Sequence, residues 1–109
     1  YDPNYNGGAL SISANQIISN EDKKFLIIGM TNVNKVGTYN INDNARYVTY
    51  TDTKSNLDYY DNIKRTGKIN ITKLDLINKI ISGTFEFKLE KDGFPTINAT
   101  EGRFDMPIE

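Results

Sequence analysis

A chain of 109 residues with 38% hydrophobic and 25% charged side chains is one globular domain with a single modest core. Its net charge of -1 gives no field to gather nucleic acid or anionic lipid, so no nucleic-acid partner is expected, and the apolar run at 25–28 is far short of the ~18 residues of a membrane-spanning helix. With no His, Cys or Trp, the chain lacks the commonest general base, the best soft-metal ligands and every thiol nucleophile, so neither an enzyme, a cofactor nor a metal is expected.

The opening YDPNYNGG is rich in turn formers, and residues 1–8 read as a loose lead-in to a single domain over 1–109. In ALSISA, Leu10, Ile12 and Ala14 share one side and Ser11 and Ser13 the other, the period-two pattern of a half-buried strand. Past the turn at Asn20, Glu21 and Asp22, the short apolar run of KKFLIIGMT fits a central strand buried on both faces. Gly37 then precedes a short strand. A polar turn at Asn42, Asp43 and Asn44 follows, and β-branched and aromatic residues over 47–51 form the next strand.

LDYYDNI is a further short strand with Leu57, Tyr59 and Ile63 in phase, and KINIT sets Ile69 and Ile71 inward. KLDLINKII matches helical spacing at Leu74, Ile77, Ile80 and Ile81, but it is short and has no stop signal, so a strand end and turn are expected. In IISGTFEFKLE the alternation is sustained: Ile81, Gly83, Phe85, Phe87 and Leu89 face one way, Ser82, Thr84, Glu86, Lys88 and Glu90 the other. Asp92 and Gly93 supply a hairpin turn, with Pro95 where the return strand is only starting. On that return strand Ile97 and Ala99 are out of phase with Phe104 and Met106, and a one-residue bulge at Glu101 and Gly102 would bring all four to the core. Seven to eight short strands at this spacing predict an all-β domain, an antiparallel sandwich or a small barrel.

Gly37-Thr38-Tyr39, then Ile71-Thr72 with Asp75, then ISGTFEF at 81–87, and last Thr100 to Phe104 with Gly102 between form a pattern over about two thirds of the chain. This pattern resembles an uncharacterised family of Gram-negative cell-envelope lipoproteins, small all-β domains of unknown function. The resemblance implies a location in the cell envelope, in the periplasm or as an outer-membrane or surface lipoprotein. It supplies no catalytic residues. Members begin with a lipid-modified cysteine, a linker and an early strand ending in an Asn-Gly turn. This chain has neither that cysteine nor that strand, and Asn6 and Gly7 stand as a remnant of the turn. An N-terminal strand is therefore expected to be missing, and contact with a membrane is expected only through a lipid anchor these residues do not carry.

Four tyrosines form the candidate ligand-binding set: Tyr47, Tyr50, Tyr59 and Tyr60. Adjacent Tyr59 and Tyr60 must point to opposite faces of a strand, which exposes one of them. Exposed rings among Asn and Asp can stack on sugars or anchor a protein, so the expected partner is a glycan or a protein at the cell surface. Cross-strand packing is the plainer role for the same rings. Asp58 with Asp61, and Glu86 with Glu90, are the carboxylate pairs a glycosidase would need, but alternating charges on an outward strand face usually serve solvation. NDNAR and KDG offer oxygens to calcium without completing a calcium loop, and Asx turns account for both. A lipocalin-like barrel around a small apolar ligand is the alternative that strand closure would decide.

Overall fold

The computed structural model describes residues 1–41 and 46–108, and every regular element among them is a strand. In chain order they are β1 (Leu10–Ile17), β2 (Lys23–Met30), β3 (Gly37–Asn40), β4 (Arg46–Asp52), β5 (Leu57–Tyr59), β6 (Ile63–Asp75), β7 (Ile80–Lys91) and β8 (Ile97–Pro107). They form two antiparallel four-stranded sheets, β1-β2-β4-β5 and β3-β6-β7-β8. Leu10, Ile28, Val48 and Tyr59 from the first sheet and Ile69, Ile81 and Leu89 from the second join one core. The domain is therefore an open sandwich: the sheets do not close, and side chains fill the space that a barrel ligand would need. The polar turn expected at Asn42, Asp43 and Asn44, and with it the calcium reading of Asp43, lies outside the described residues.

The alternation in the sequence becomes burial wherever the two sheets overlap. On β7, Ile81, Gly83, Phe87 and Leu89 are buried while Glu86 and Lys88 are exposed. The bulge on β8 is present: Phe85 pairs with Gly102 and Phe87 with Ala99, so β8 carries one residue more than β7 between these pairs. Glu101 takes up the excess at a φ of 57°, and Phe104 turns into the core with Met106 half-buried beside it. A second bulge, between the pairs Ile71 with Gly83 and Lys73 with Ser82, had no signal in the sequence. At the end of β6 the helical spacing is overruled. Residues 76–79 form a turn, Ile77 is 91% exposed, and Asp75 accepts the backbone N–H groups of Ile77 and Asn78. These bonds, those from Asn78 foremost, hold the Asp75 carboxyl below its usual range.

Three expectations require correction. LDYYDNI is not one strand, because β5 stops at Tyr59 and, after a bend at 60–62, Ile63 opens β6. β2 is central in its sheet, but only one of its faces is covered: Ile28 and Met30 are buried, whereas Ile27 is 39% exposed. A sandwich has two layers, so the outer face of each sheet meets solvent however apolar its strands are. Ala14, in phase with Leu10 and Ile12, is exposed as well, along with Gln16, so this end of the β1–β2 hairpin projects past the second sheet. The lead-in, expected to be loose, is held on the sandwich. Asp2 and Ala9 exchange backbone hydrogen bonds of 2.9 and 2.8 Å, Val33 N–H donates to the Gly8 carbonyl, and the Tyr1 hydroxyl donates to the Val33 carbonyl.

The opposite end is closed by the β7–β8 turn. Phe94 meets Tyr59 edge to face at 5.7 Å, and Lys91 lies 4.4 Å from the Phe94 ring while donating to the Asp58 carbonyl at 2.6 Å. Arg65, on β6, reaches across to the first sheet. Its Nε donates to the Val48 carbonyl at 2.7 Å and its terminal nitrogen to the Tyr60 carbonyl at 2.8 Å, just where β5 has ended.

Candidate functional site

The two outer faces carry opposite chemistry. On the second sheet a polar lattice runs across the strands: Thr38 donates to Asn70, the Asn70 amide approaches Thr84 at 3.4 Å, and Ser82 donates to Asp105 at 2.5 Å. Lys68 pairs with Glu86 at 3.4 Å and Lys88 with Glu90 at 3.9 Å, all four about half exposed. Surface pairs of this kind contribute at most about 1 kcal/mol each. A shallow depression of about 470 Å³ lies among Lys68, Asn70, Thr84, Glu86, Glu101 and Arg103. Glu86 and Glu90 are thus engaged with lysines on this face. Asp58 and Asp61 are exposed near the end of β5.

Register fixes the outer face of the first sheet. Ile12, Ile28 and Val48 are buried, so their chain neighbours on the same strands point away from the core. This aligns Ser11, Ser13 and Asn15 on β1 with Gly29, Ile27 and Phe25 on β2, and these in turn with Tyr47, Thr49 and Thr51 on β4. None of the nine carries a charge. Tyr47, 43% exposed, lies across Gly29: a Cβ built on that glycine would stand 2.5 Å from the Tyr47 ring. The glycine lets the ring lie flat on the sheet, where its face stays open to solvent.

The structure divides the candidate tyrosines into two pairs. Tyr50 and Tyr59 face inward and pack together, ring centres 5.9 Å apart and tilted by 56°. Tyr59 is wholly buried and donates its hydroxyl to the Pro95 carbonyl. Tyr47 and Tyr60 are exposed, Tyr60 by 62%, as the opposed directions of adjacent Tyr59 and Tyr60 require. Phe25 and Ile27, which share the outer face with Tyr47, were not singled out from the sequence. Their run FLIIG read as buried on both sides, and only the count of layers shows that its odd positions face out.

Among the described residues, no group of three or more His, Cys, Asp or Glu is placed to hold a metal ion, and no helix is long and apolar enough to cross a membrane. No curated protein and no solved structure matches the chain. A family model does, over residues 4–106, and the chain belongs to that family, the domain of unknown function DUF6252.

Proposed function

We propose that this chain is a non-enzymatic binding domain of the cell envelope that takes a neutral glycan on the outer face of its first sheet. One observation carries the reading: nine central positions of this face carry no charge, and on them the open Tyr47 ring, Phe25 and Ile27 alternate with the hydroxyls and amide of Ser11, Ser13, Asn15, Thr49 and Thr51, while Asp58, opposite Thr51 on β5, and Lys23 on β2 stand at the margin. Sugars present C–H faces that stack on rings and hydroxyls that bond to short polar side chains. A face built for solvation alone would resemble the second sheet, with its lysines and glutamates. The envelope location is supported by the likeness to envelope lipoproteins in the GTY, ISGTF and TEGRF stretches. A non-catalytic role is supported by the absence of His and Cys and by the engagement of Glu86 and Glu90 with lysines.

An array of neutral oligosaccharides, followed by calorimetry on the tightest, tests the proposal. Tyr47→Ala should weaken binding by roughly tenfold, equivalent to about 1.4 kcal/mol. Thr84→Ala, on the opposite face, should leave it unchanged. Absence of any bound sugar, or an affinity indifferent to Tyr47→Ala, would reject the glycan.

A further inference from the structure

Although β5 has only three residues, it and the residue after it are anchored from several sides. Tyr59 is wholly buried against the Tyr50 and Phe94 rings and donates its hydroxyl to the Pro95 carbonyl. On either side of Tyr59 a cation from the second sheet grips the backbone: Lys91 donates to the Asp58 carbonyl at 2.6 Å and Arg65 to the Tyr60 carbonyl at 2.8 Å. The same Arg65 fork donates to the Val48 carbonyl at 2.7 Å, so Tyr60 is fixed beside β4 at a point where the β4–β5 ladder has already ended. What this anchoring presents to solvent is a ring. Tyr60 is 62% exposed and turned opposite to Tyr59. An open aromatic side chain on a fixed backbone loses little freedom when a ligand settles on it.

Register relates this ring to the Tyr47 face. Tyr59 pairs with Tyr50, so Tyr60 comes next to Thr49, which points outward as Tyr47 does because Val48 between them is buried. The Tyr47 ring extends the other way, across Gly29 of β2. The two open rings therefore flank β4, one over β2 and one where β5 would continue, with Thr49 between them. Neighbouring strands lie about 4.8 Å apart, which sets the rings roughly 10 Å from each other. A single sugar ring is too small to lie on both.

We infer that the ligand of this face is an extended chain of neutral sugars, about three units or longer, that crosses β4 with one unit stacked on Tyr47 and another on Tyr60. The inference rests on the glycan reading and adds to it the length and shape of the ligand. Rings set at two points of one sheet face suit a ribbon and not a coil. Hexoses and N-acetylhexosamines joined by β-1,4 links form such ribbons, with C–H groups on both faces and hydroxyls along the edges, whereas α-1,4-linked chains curl away from a flat support. Thr49 and Thr51 lie beneath the crossing and bond to the edge hydroxyls, and Asp58, exposed opposite Thr51, offers carboxylate oxygens to hydroxyls beside Tyr60.

Calorimetric titration with β-1,4-linked glucose and N-acetylglucosamine oligomers, from monosaccharide to hexasaccharide, tests the inference. In at least one series the affinity should rise by roughly tenfold between disaccharide and tetrasaccharide, as the second ring is engaged. Tyr60→Ala should abolish that rise and leave the disaccharide as it was, whereas Tyr47→Ala should weaken both. Tyr60→Phe should keep the rise, because stacking needs the ring and not the hydroxyl. Thr84→Ala, on the other outer face, should change nothing. Circular dichroism matching the parent shows that each variant is folded. The α-1,4-linked glucose series should bind roughly tenfold more weakly or not at all. A sugar bound through Tyr47 with equal affinity at every length, a rise that survives Tyr60→Ala, or equal binding of the α-linked series would overturn the inference while the glycan reading stood. Failure of every neutral sugar to bind would remove the glycan reading, and the inference with it.

Discussion

Two short stretches, Gly83-Thr84-Phe85 and Gly102-Arg103-Phe104, lie against each other in β7 and β8 so that each glycine faces the other's phenylalanine. A Cβ on Gly102 would stand 2.3 Å from the Phe85 ring, and one on Gly83 would stand 2.7 Å from the Phe104 ring and 2.1 Å from the Asn70 carbonyl oxygen. The glycines are thus the floor on which the rings lie, which is why the recognisable motifs have the form Gly-x-Phe. Both alanine variants overpack, but a ring can shift where a backbone carbonyl cannot. Gly83→Ala should therefore cost about 3 kcal/mol and Gly102→Ala about 1, compared by urea unfolding. Tyr59 makes a prediction about pH. Burial, and then neighbouring Tyr50, push its phenol above the ordinary 10.0. Above that value the unfolded chain gives up the proton while the folded chain keeps it, so stability is complete below pH 10 and falls as pH rises toward the folded pKa. Tyr1 is raised for the same first reason and adds to the loss. Tyr59→Phe should remove the bond to the Pro95 carbonyl, at a cost of about 1 kcal/mol near neutral pH, and should flatten part of the alkaline decline.

At the level of elements, the β7–β8 hairpin shows how far alternation can be read and where it needs help. The facing of β7 followed from its sequence without error. β8 did so only with one inserted residue, because Ala99 and Phe104 are five apart and a regular strand sends such residues to opposite faces. Deleting Glu101 removes that insertion. With Ile97 and Ala99 kept in register, Phe104 and Met106 would turn to solvent while Arg103 and Asp105 turned inward, so the variant should lose its cooperative unfolding transition and its near-ultraviolet dichroism. The end of β6 teaches a complementary lesson. Four apolar residues at helical spacing did not make a helix, because no surface exists for such a stripe to cover and Asp75 satisfies the turn's N–H groups locally.

Across the whole molecule, the contrast between the two outer faces gives a further prediction. If ligand binds over Tyr47, its affinity should change by less than about twofold between low and high salt, since the charges of this face, Asp58 opposite Thr51 and Lys23 beyond Phe25, lie toward the other end of the strands from Tyr47. A steep salt dependence would place the ligand on the second sheet instead, among Lys68, Glu86 and Arg103. The sequence by itself determined the class of fold, most strand positions, the inward sets on β6 and β7, the bulge on β8 and the division of Tyr59 from Tyr60. Each of these follows from local periodicity, which the side-chain geometry of a strand imposes on any sequence that forms one. Tertiary structure alone decided the rest. Tyr47 and Tyr50 are three residues apart in similar sequence, yet one lies open over Gly29 and the other packs on Tyr59. Phe25 and Ile27 read as core and face solvent, and Arg65 ties the two sheets where Arg103 lies on an outer face. Period two tells which residues share a side of a strand, but which side is covered depends on what the chain packs against it, and that partner comes from residues far away in the sequence.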